Sequence, residues 1–113
     1  MTATHSSPIL NPLVKAYVSA MNCHDATALT ECFTLDAIVQ DEGKSHKGHE
    51  AIEAWAKGAF EAYRPQLDVE HVGLSDHHTV ISGLLSGSFE GSPVELHHFL
   101  EIQDGKIHFL KIT

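Results

Sequence analysis

Histidine is abundant in this chain, with 10 among 113 residues, and metal binding is the first chemistry that this number suggests. Three close pairs occur in the sequence: His46 with His49, His77 with His78, and His97 with His98. Adjacent strand residues point to opposite faces, so His97 and His98 do not share an ion, and His77 and His78 lie in a predicted turn without a further ligand at helical spacing. A cluster of His97, His108 and Glu101 on one strand face resembles a cross-strand polar pair. The sequence therefore predicts no metal site and no cofactor, but a charge that changes with pH near neutrality.

Acid–base chemistry is the second possibility, and Tyr17, Asp41 and His97 are the residues considered for it. Tyr17 lies on the apolar side of a predicted helix, where most tyrosines are core residues with one hydrogen-bonded hydroxyl. Asp41 comes directly before a polar turn, a position typical of a solvated carboxylate. His97 lies on an apolar strand face, where a histidine usually belongs to the core. Residue type and spacing alone therefore favour structural roles for all three.

Three helices are expected to position these side chains. Apolar residues from Leu10 to Met21 recur at the spacing of an amphipathic helix over residues 8–22. Asp25 is a suitable N-cap for a short second helix that extends to about Phe33. The third helix is predicted from His49 to Tyr63, since Pro65 limits its end.

Strands are predicted around these helices and after them. Residues 37–41 have the β-branched content of a strand, and residues 42–48 read as a polar turn. After Pro65 the period changes to two, which predicts strands over residues 67–71, 79–89, 94–102 and 106–113. This order favours an α+β fold, a single domain over residues 1–113 in which helices pack on one face of a mostly antiparallel sheet.

The last two strands form a hairpin through Asp104-Gly105, and this turn fixes an expected register. That register pairs Ile102 with Ile107, Leu100 with Phe109, Phe99 with Leu110, and His97 with Ile112. It directs His97, Phe99, Leu110 and Ile112 to one face. The opposite face then carries His98 and Lys111 with five apolar residues: Leu96, Leu100, Ile102, Ile107 and Phe109. Because helices cover only one face, the sequence predicts a homodimer through the other.

Composition limits the function classes. Seven Lys+Arg against fifteen Asp+Glu give a formal net charge of −8, which disfavours nucleic acid and anionic membranes as partners. The sequence contains no apolar run long enough to span a bilayer, and Met1 to His5 lack the blocks of a secretory signal. We therefore expect a cytoplasmic protein.

Five short motifs occur in order along the chain: Tyr17-Val18-Ser19-Ala20-Met21-Asn22, Asp25, Phe33-Thr34-Leu35-Asp36-Ala37, Gly48-His49-Glu50-Ala51-Ile52 and Asp104-Gly105-Lys106-Ile107. This ordered set resembles the SnoaL-like branch of the nuclear-transport-factor-2-like (NTF2-like) superfamily. The resemblance implies a cone-shaped fold with three N-terminal helices on a curved sheet around an apolar pocket. The superfamily contains ketosteroid isomerases, polyketide cyclases, epoxide hydrolases, dehydratases and non-catalytic binding domains, so the motifs specify fold better than function.

Two positions are similar to the functional residues of ketosteroid isomerases. Tyr17 matches that family's oxyanion donor and Asp41 its general base, whereas His97 stands where those enzymes have a protonated aspartic acid. The resemblance implies that Asp41 takes a proton beside a carbonyl while Tyr17 and His97 stabilise the enolate oxygen. The pocket lining is expected to include six apolar residues: Phe33, Trp55, Phe60, Phe99, Leu110 and Ile112.

Three functions stay open at this stage: an isomerase of this type on a hydrophobic substrate, a polyketide cyclase-like enzyme, and a non-catalytic ligand-binding or dimerisation domain. The direction of Asp41 discriminates between them, because a catalytic base must face the pocket. Epoxide hydrolysis is a weaker alternative, since its Asp-Arg-Asp arrangement needs an arginine and the sequence has only Arg64, beside Pro65.

Overall fold

A computed structural model describes residues 11–75 and 78–113 of the chain. These ranges contain three helices and six strands, and two of the strands lie between the second and third helices. The helices are α1 (Pro12–Asn22), α2 (Ala26–Thr30) and α3 (His49–Tyr63). The strands are β1 (Phe33–Asp41), β2 (Lys44–Lys47), β3 (Gln66–Ser75), β4 (His78–Ser86), β5 (Val94–Gln103) and β6 (Lys106–Ile112). The α+β prediction is confirmed, and the expected first residues of the first helix, 8–10, lie outside the described residues.

Local hydrogen bonds explain where the helices begin and end. The Asn11 side chain accepts the N–H groups of the first turn of α1, and Asp25 accepts the Ala28 N–H and caps α2, as predicted. Helix α3 ends at Tyr63, and the next residue, Arg64, has a φ of 48° in the left-handed region and precedes Pro65. The chain thus reverses directly into β3.

The six strands form one curved sheet in the order β2-β1-β6-β5-β4-β3. Among the strands of the described residues, β1 and β6 pair in parallel, and every other neighbouring pair is antiparallel. Strand β2 was expected to be part of a turn, but Lys44–Lys47 pairs with the end of β1. Its exposed, lysine-containing sequence is typical of a protected sheet edge.

The expected register of the last hairpin is correct only next to the turn. Ile102 pairs with Ile107, but an irregularity follows, so that Glu101 pairs with Phe109 and Leu100 with Leu110. The extra residue on β6 shifts the pairing by one position. Relative to β6, each β5 side chain beyond the irregularity therefore lies on the face opposite to the expected one. His98 and Leu100 therefore point to the helices, while His97 and Phe99 point to the outer face. Leu100 and Ile107, assigned above to the uncovered face, are fully buried.

A second irregularity bends the other half of the sheet. Val69 pairs with Gly83 and His71 with Ser82, so Glu70 is an extra residue on β3. A Cβ atom at Gly83 would overlap the Asp68 carbonyl oxygen and crowd the Val69 Cα. Glycine at this position therefore permits the close approach of β3 and β4 at this bulge.

The core lies between the helices and the inner face of the sheet. Tyr17, Leu29 and Ile52 from the three helices belong to one buried cluster with Leu100 and Leu110 from the sheet. Beyond this core, towards the C-terminal end of β1, the two layers separate. Within residues 11–75 and 78–113, none of the helices has both the length and the apolar character that a membrane span requires.

Candidate functional site

A cavity of about 510 Å³ opens where the layers separate. This volume is within the range of small-molecule binding sites. The lining comes from α1, α3 and the strand ends: Met21, Asp41, Glu42, Trp55, Ala56, Ala59, Phe60, Tyr63, Pro65, Leu85, Phe89, Glu90, Val94, Leu96, His98 and Ile112. Most of these side chains are apolar, so the cavity suits a largely hydrophobic molecule.

Asp41 faces this cavity because it continues the alternation of β1. Ala37 and Val39 point into the core, and Asp41 is the next residue on the same face. Its Oδ2 atom accepts a hydrogen bond of 3.1 Å from Trp55 Nε1. Partial burial raises the pKa of the Asp41 carboxyl, while the Trp55 hydrogen bond opposes this by stabilising the carboxylate. Asp41 is thus an incompletely solvated carboxylate at the wall of an apolar cavity.

Tyr17 and His98 form a buried pair at the inner end of the site. Tyr17 Oη lies 2.7 Å from His98 Nδ1, and the rings meet edge to face with centroids 5.8 Å apart. Burial, with a smaller contribution from the His97 charge, lowers the pKa of His98 to about 4. Burial, and then the Asp41 charge, raises the pKa of Tyr17 well above its ordinary value. Both side chains are therefore neutral at pH 7.

The other ring nitrogen of His98 is the most unusual polar atom of the site. Nε2 is buried and has no hydrogen-bond partner among the described residues. An unpaired polar group of this kind costs about 1–3 kcal/mol. The His98 side chain contributes to the lining of the cavity.

His97, the residue expected at this place, lies on the other side of the sheet. Its side chain is exposed and its Nδ1 is 3.0 Å from Ser82 Oγ. The structure therefore places Asp41 and His98 in the lining of one cavity, with Tyr17 hydrogen-bonded to His98 but not in the lining, and His97 is not part of this group. The sequence signal that points to His98 is the alternation of β5, since Leu96, His98 and Leu100 form its more apolar side.

The expected apolar lining divides into three groups. Trp55, Phe60 and Ile112 line the cavity. Phe33 and Leu110 are buried in the core and do not line it. Because of the register shift, Phe99 lies on the outer face. There it borders a separate groove with Phe109 and Lys111. Leu110 is on the inner face as expected, but its neighbours fill the space in front of it.

Several lining residues were not predicted. Tyr63 and Phe89 meet edge to face, with ring centroids 5.9 Å apart, and Glu42 and Glu90 lie on the exposed rim. Phe89 follows β4 in a loop, where strand alternation gives no direction. None of the described residues in the lining is Lys or Arg, so the site lacks the cations that usually bind phosphate.

The histidines are distributed over separate partners. His78 lies 3.3 Å from Glu101, and His108 lies 3.7 Å from Asp36. Within the described ranges, no three His, Cys, Asp or Glu side chains are close enough together to hold a metal ion. His77 lies outside the described residues.

Comparisons with known proteins identify the family and the fold. The sequence model of the SnoaL-like domain family matches residues 14–109. A candidate polyketide cyclase from Sinorhizobium meliloti is 36% identical, with a TM-score of 0.87 over 92% of this chain and 95% of that one. A search of curated proteins finds no match.

More distant structures agree in fold. A Catenulispora acidiphila protein of ketosteroid isomerase-like fold, in complex with trimethylamine, is 18% identical, with a TM-score of 0.81 over 95% of this chain and 85% of that one. A candidate polyketide cyclase from Pseudomonas putida is 22% identical, with a TM-score of 0.78 over 91% of this chain and 89% of that one. The NTF2-like fold is therefore shared even where sequence identity is low.

Proposed function

Because this chain belongs to the SnoaL-like domain family, we propose that it is an enzyme that transfers a proton next to a carbonyl group of a hydrophobic, steroid- or polyketide-like substrate. The observation that carries the proposal is the placement of two opposite kinds of polar group in one apolar cavity. Asp41 is a carboxylate that can accept a proton, and His98 has an unpartnered ring nitrogen.

The chemistry assigns one role to each group. The Asp41 carboxylate removes a proton from the carbon beside the carbonyl, and the electron pair of the broken C–H bond forms an enolate. His98 holds the developing oxyanion, which is the position expected above for His97. Asp41 then returns the proton to a different carbon, which isomerises the double bond and regenerates the carboxylate.

A polyketide cyclase-like reaction is the second candidate, and the 36% identity to a candidate polyketide cyclase favours it. The first step is the same, but the enolate carbon then attacks another carbonyl carbon of the same molecule. A C–C bond forms as the C=O π bond opens, and the resulting alkoxide takes the proton from Asp41, which regenerates the carboxylate. Epoxide hydrolysis has less support because Arg64 is exposed at the end of α3 and does not line the cavity. A non-catalytic ligand-binding domain is the remaining alternative.

We also propose a homodimer through the outer face of the sheet. The residues of this face differ from those expected from the sequence. Ile38, Phe109, Phe99 and Val80 lie on neighbouring strands of this face, and each is partly exposed. The helices pack on the opposite face. A second copy related by a two-fold axis presents the same apolar patch and can cover it.

Replacing Asp41 with Asn tests the enzyme. The amide keeps the size of the side chain but does not accept the proton, so the rate is expected to fall by about 10²–10⁴-fold. Conjugation of a β,γ-unsaturated ketone, followed by ultraviolet absorbance, measures isomerisation, and product analysis of a poly-β-ketone substrate measures cyclisation.

Asp36→Asn is the matched control, because Asp36 is on the same strand, is exposed and does not line the cavity. It should keep the wild-type rate. If the wild type converts neither substrate class yet binds flat apolar ketones, the binding-domain alternative replaces the enzyme. If Asp41→Asn is as active as the wild type, Asp41 is not the base.

A further inference from the structure

The hydrogen bond between the buried side chains of Tyr17 and His98 bears on which ring nitrogen of His98 carries the proton. At pH 7 neither partner is charged, so the hydrogen bond between Tyr17 Oη and His98 Nδ1 has two possible directions. The tyrosine donates to an unprotonated Nδ1, or a protonated Nδ1 donates to the tyrosine oxygen.

The two directions leave different numbers of groups unpaired. If Nδ1 donates, the Tyr17 hydroxyl hydrogen has no acceptor among the described residues and the Nε2 lone pair is also unpaired. If Tyr17 donates, its hydrogen is satisfied and only one group, the Nε2–H, is without a partner. Tyr17 is fully buried, so solvent does not compensate for a misplaced hydroxyl hydrogen.

We infer that Tyr17 is a positioning residue that donates to His98 Nδ1 and thereby holds His98 as the neutral tautomer with its proton on Nε2, a hydrogen-bond donor for a ligand oxygen in the cavity. The inference rests on the proposed function for its catalytic meaning and names the ligand chemistry more narrowly. A neutral Nε2–H has no acceptor capacity, so the inner end of the site selects a hydrogen-bond acceptor, which in the proposed reaction is the carbonyl or enolate oxygen.

The titratable groups around His98 are consistent with this state. Tyr17 faces it from α1, Asp41 shares the cavity from β1, and His97 is its neighbour on β5. A negative Asp41 stays on the substrate side and is free to act as base, because His98 does not need it as a counter-ion. Tyr17 thus acts on the ligand only through His98.

Nitrogen-15 NMR of protein labelled in histidine tests the tautomer directly and needs no substrate. His98→Gln identifies the His98 signals by their loss. In the wild type at pH 7 we expect Nε2 to have the shift of a protonated ring nitrogen and Nδ1 that of an unprotonated one. The reverse assignment, or an imidazolium, would overturn the inference whether or not the protein is an enzyme.

Tyr17→Phe tests the role of the hydroxyl. This variant should show a mixture of tautomers, and an unchanged Nε2-protonated spectrum would show that Tyr17 does not set it. If the variant does not fold, the wild-type spectrum alone still decides the direction of the hydrogen bond.

A pair of neutral ligands tests the donor. 2-Acetylnaphthalene and 2-isopropenylnaphthalene have similar shapes, but only the ketone has an acceptor oxygen. The ketone should bind the wild type about tenfold more tightly, since it pairs a buried N–H, and this preference should shrink in Tyr17→Phe. Equal affinities for the wild type would overturn the assignment of Nε2–H as a donor to the ligand.

Discussion

His98 makes the stability of the fold depend on proton concentration. Its pKa is about 4 in the folded chain, against an ordinary value of 6.5, because burial disfavours the imidazolium. Between these values the unfolded chain binds more protons than the folded chain, so the free energy of unfolding falls as pH falls from 6.5 to 4. The contribution of this residue to that loss should be about 3 kcal/mol.

His98→Gln isolates this contribution in urea unfolding at a series of pH values. The variant should lose this part of the pH dependence, although it is less stable at pH 7. His97→Gln is the matched control, because His97 is exposed and should keep the wild-type slope. Asp41, whose pKa is raised, contributes the opposite slope at lower pH and is unchanged in both variants. Parallel pH profiles for wild type and His98→Gln would contradict the neutral, buried imidazole.

At the same scale, the sequence predicted Asp41 and Tyr17 as candidates but placed His97 where the structure has His98. The face to which Asp41 points follows from the alternation of β1, because Asp41 is an even number of residues from the buried Ala37. The faces to which the side chains of β5 point depend on a bulge in its partner strand. A trace of that bulge is visible in β6, where the buried positions change from odd, Ile107, to even, Leu110. The turn at Asp104-Gly105 fixes only the residues next to it.

Among the elements, β4 depends most strictly on one small residue. Gly83→Ala should destabilise the protein by about 1–3 kcal/mol, because the new methyl group meets the backbone of Asp68 and Val69. Gly58→Ala is the opposite case, since Gly58 lies in the exposed interior of α3 and a Cβ there meets nothing within 4 Å. It should stabilise the protein by about 0.5–1 kcal/mol. Chemical denaturation of both variants measures the difference, and equal effects would exclude the close approach at Gly83.

Element boundaries followed from the sequence wherever a cap or a proline fixed them. Helix α3 was predicted with its observed limits, and Asp25 caps α2 as expected. Strand β2 was missed because Lys44–Lys47 has no buried apolar residue, so hydrophobic periodicity gives no signal. Its strand conformation results from pairing with β1, which is a tertiary contact.

At the scale of the whole molecule, the sheet separates two apolar regions with different requirements. The helices cover the inner face except at the cavity, where we propose that a ligand binds. On the outer face, Phe99 and Phe109 are partly exposed beside Lys111. The described helices pack on the inner face and do not cover these side chains. A polar group such as Lys111 among aromatic residues is compatible with an interface that also contacts water.

Phe109→Asp tests the proposed dimer at this face. Phe109 pairs with Ile38 on one side and with Glu101 on the other, so it lies centrally in the patch. In the proposed interface an aspartate there lies beside Glu101, and the desolvation and repulsion of these charges should weaken association by about tenfold or more. Leu74→Asp is the control, because Leu74 is 77% exposed on the edge strand β3 and lies outside the patch. Sedimentation velocity at micromolar concentration should find a dimer for the wild type and Leu74→Asp and a folded monomer for Phe109→Asp. A compact wild-type monomer under these conditions would mean that this face does not need a second copy to be stable.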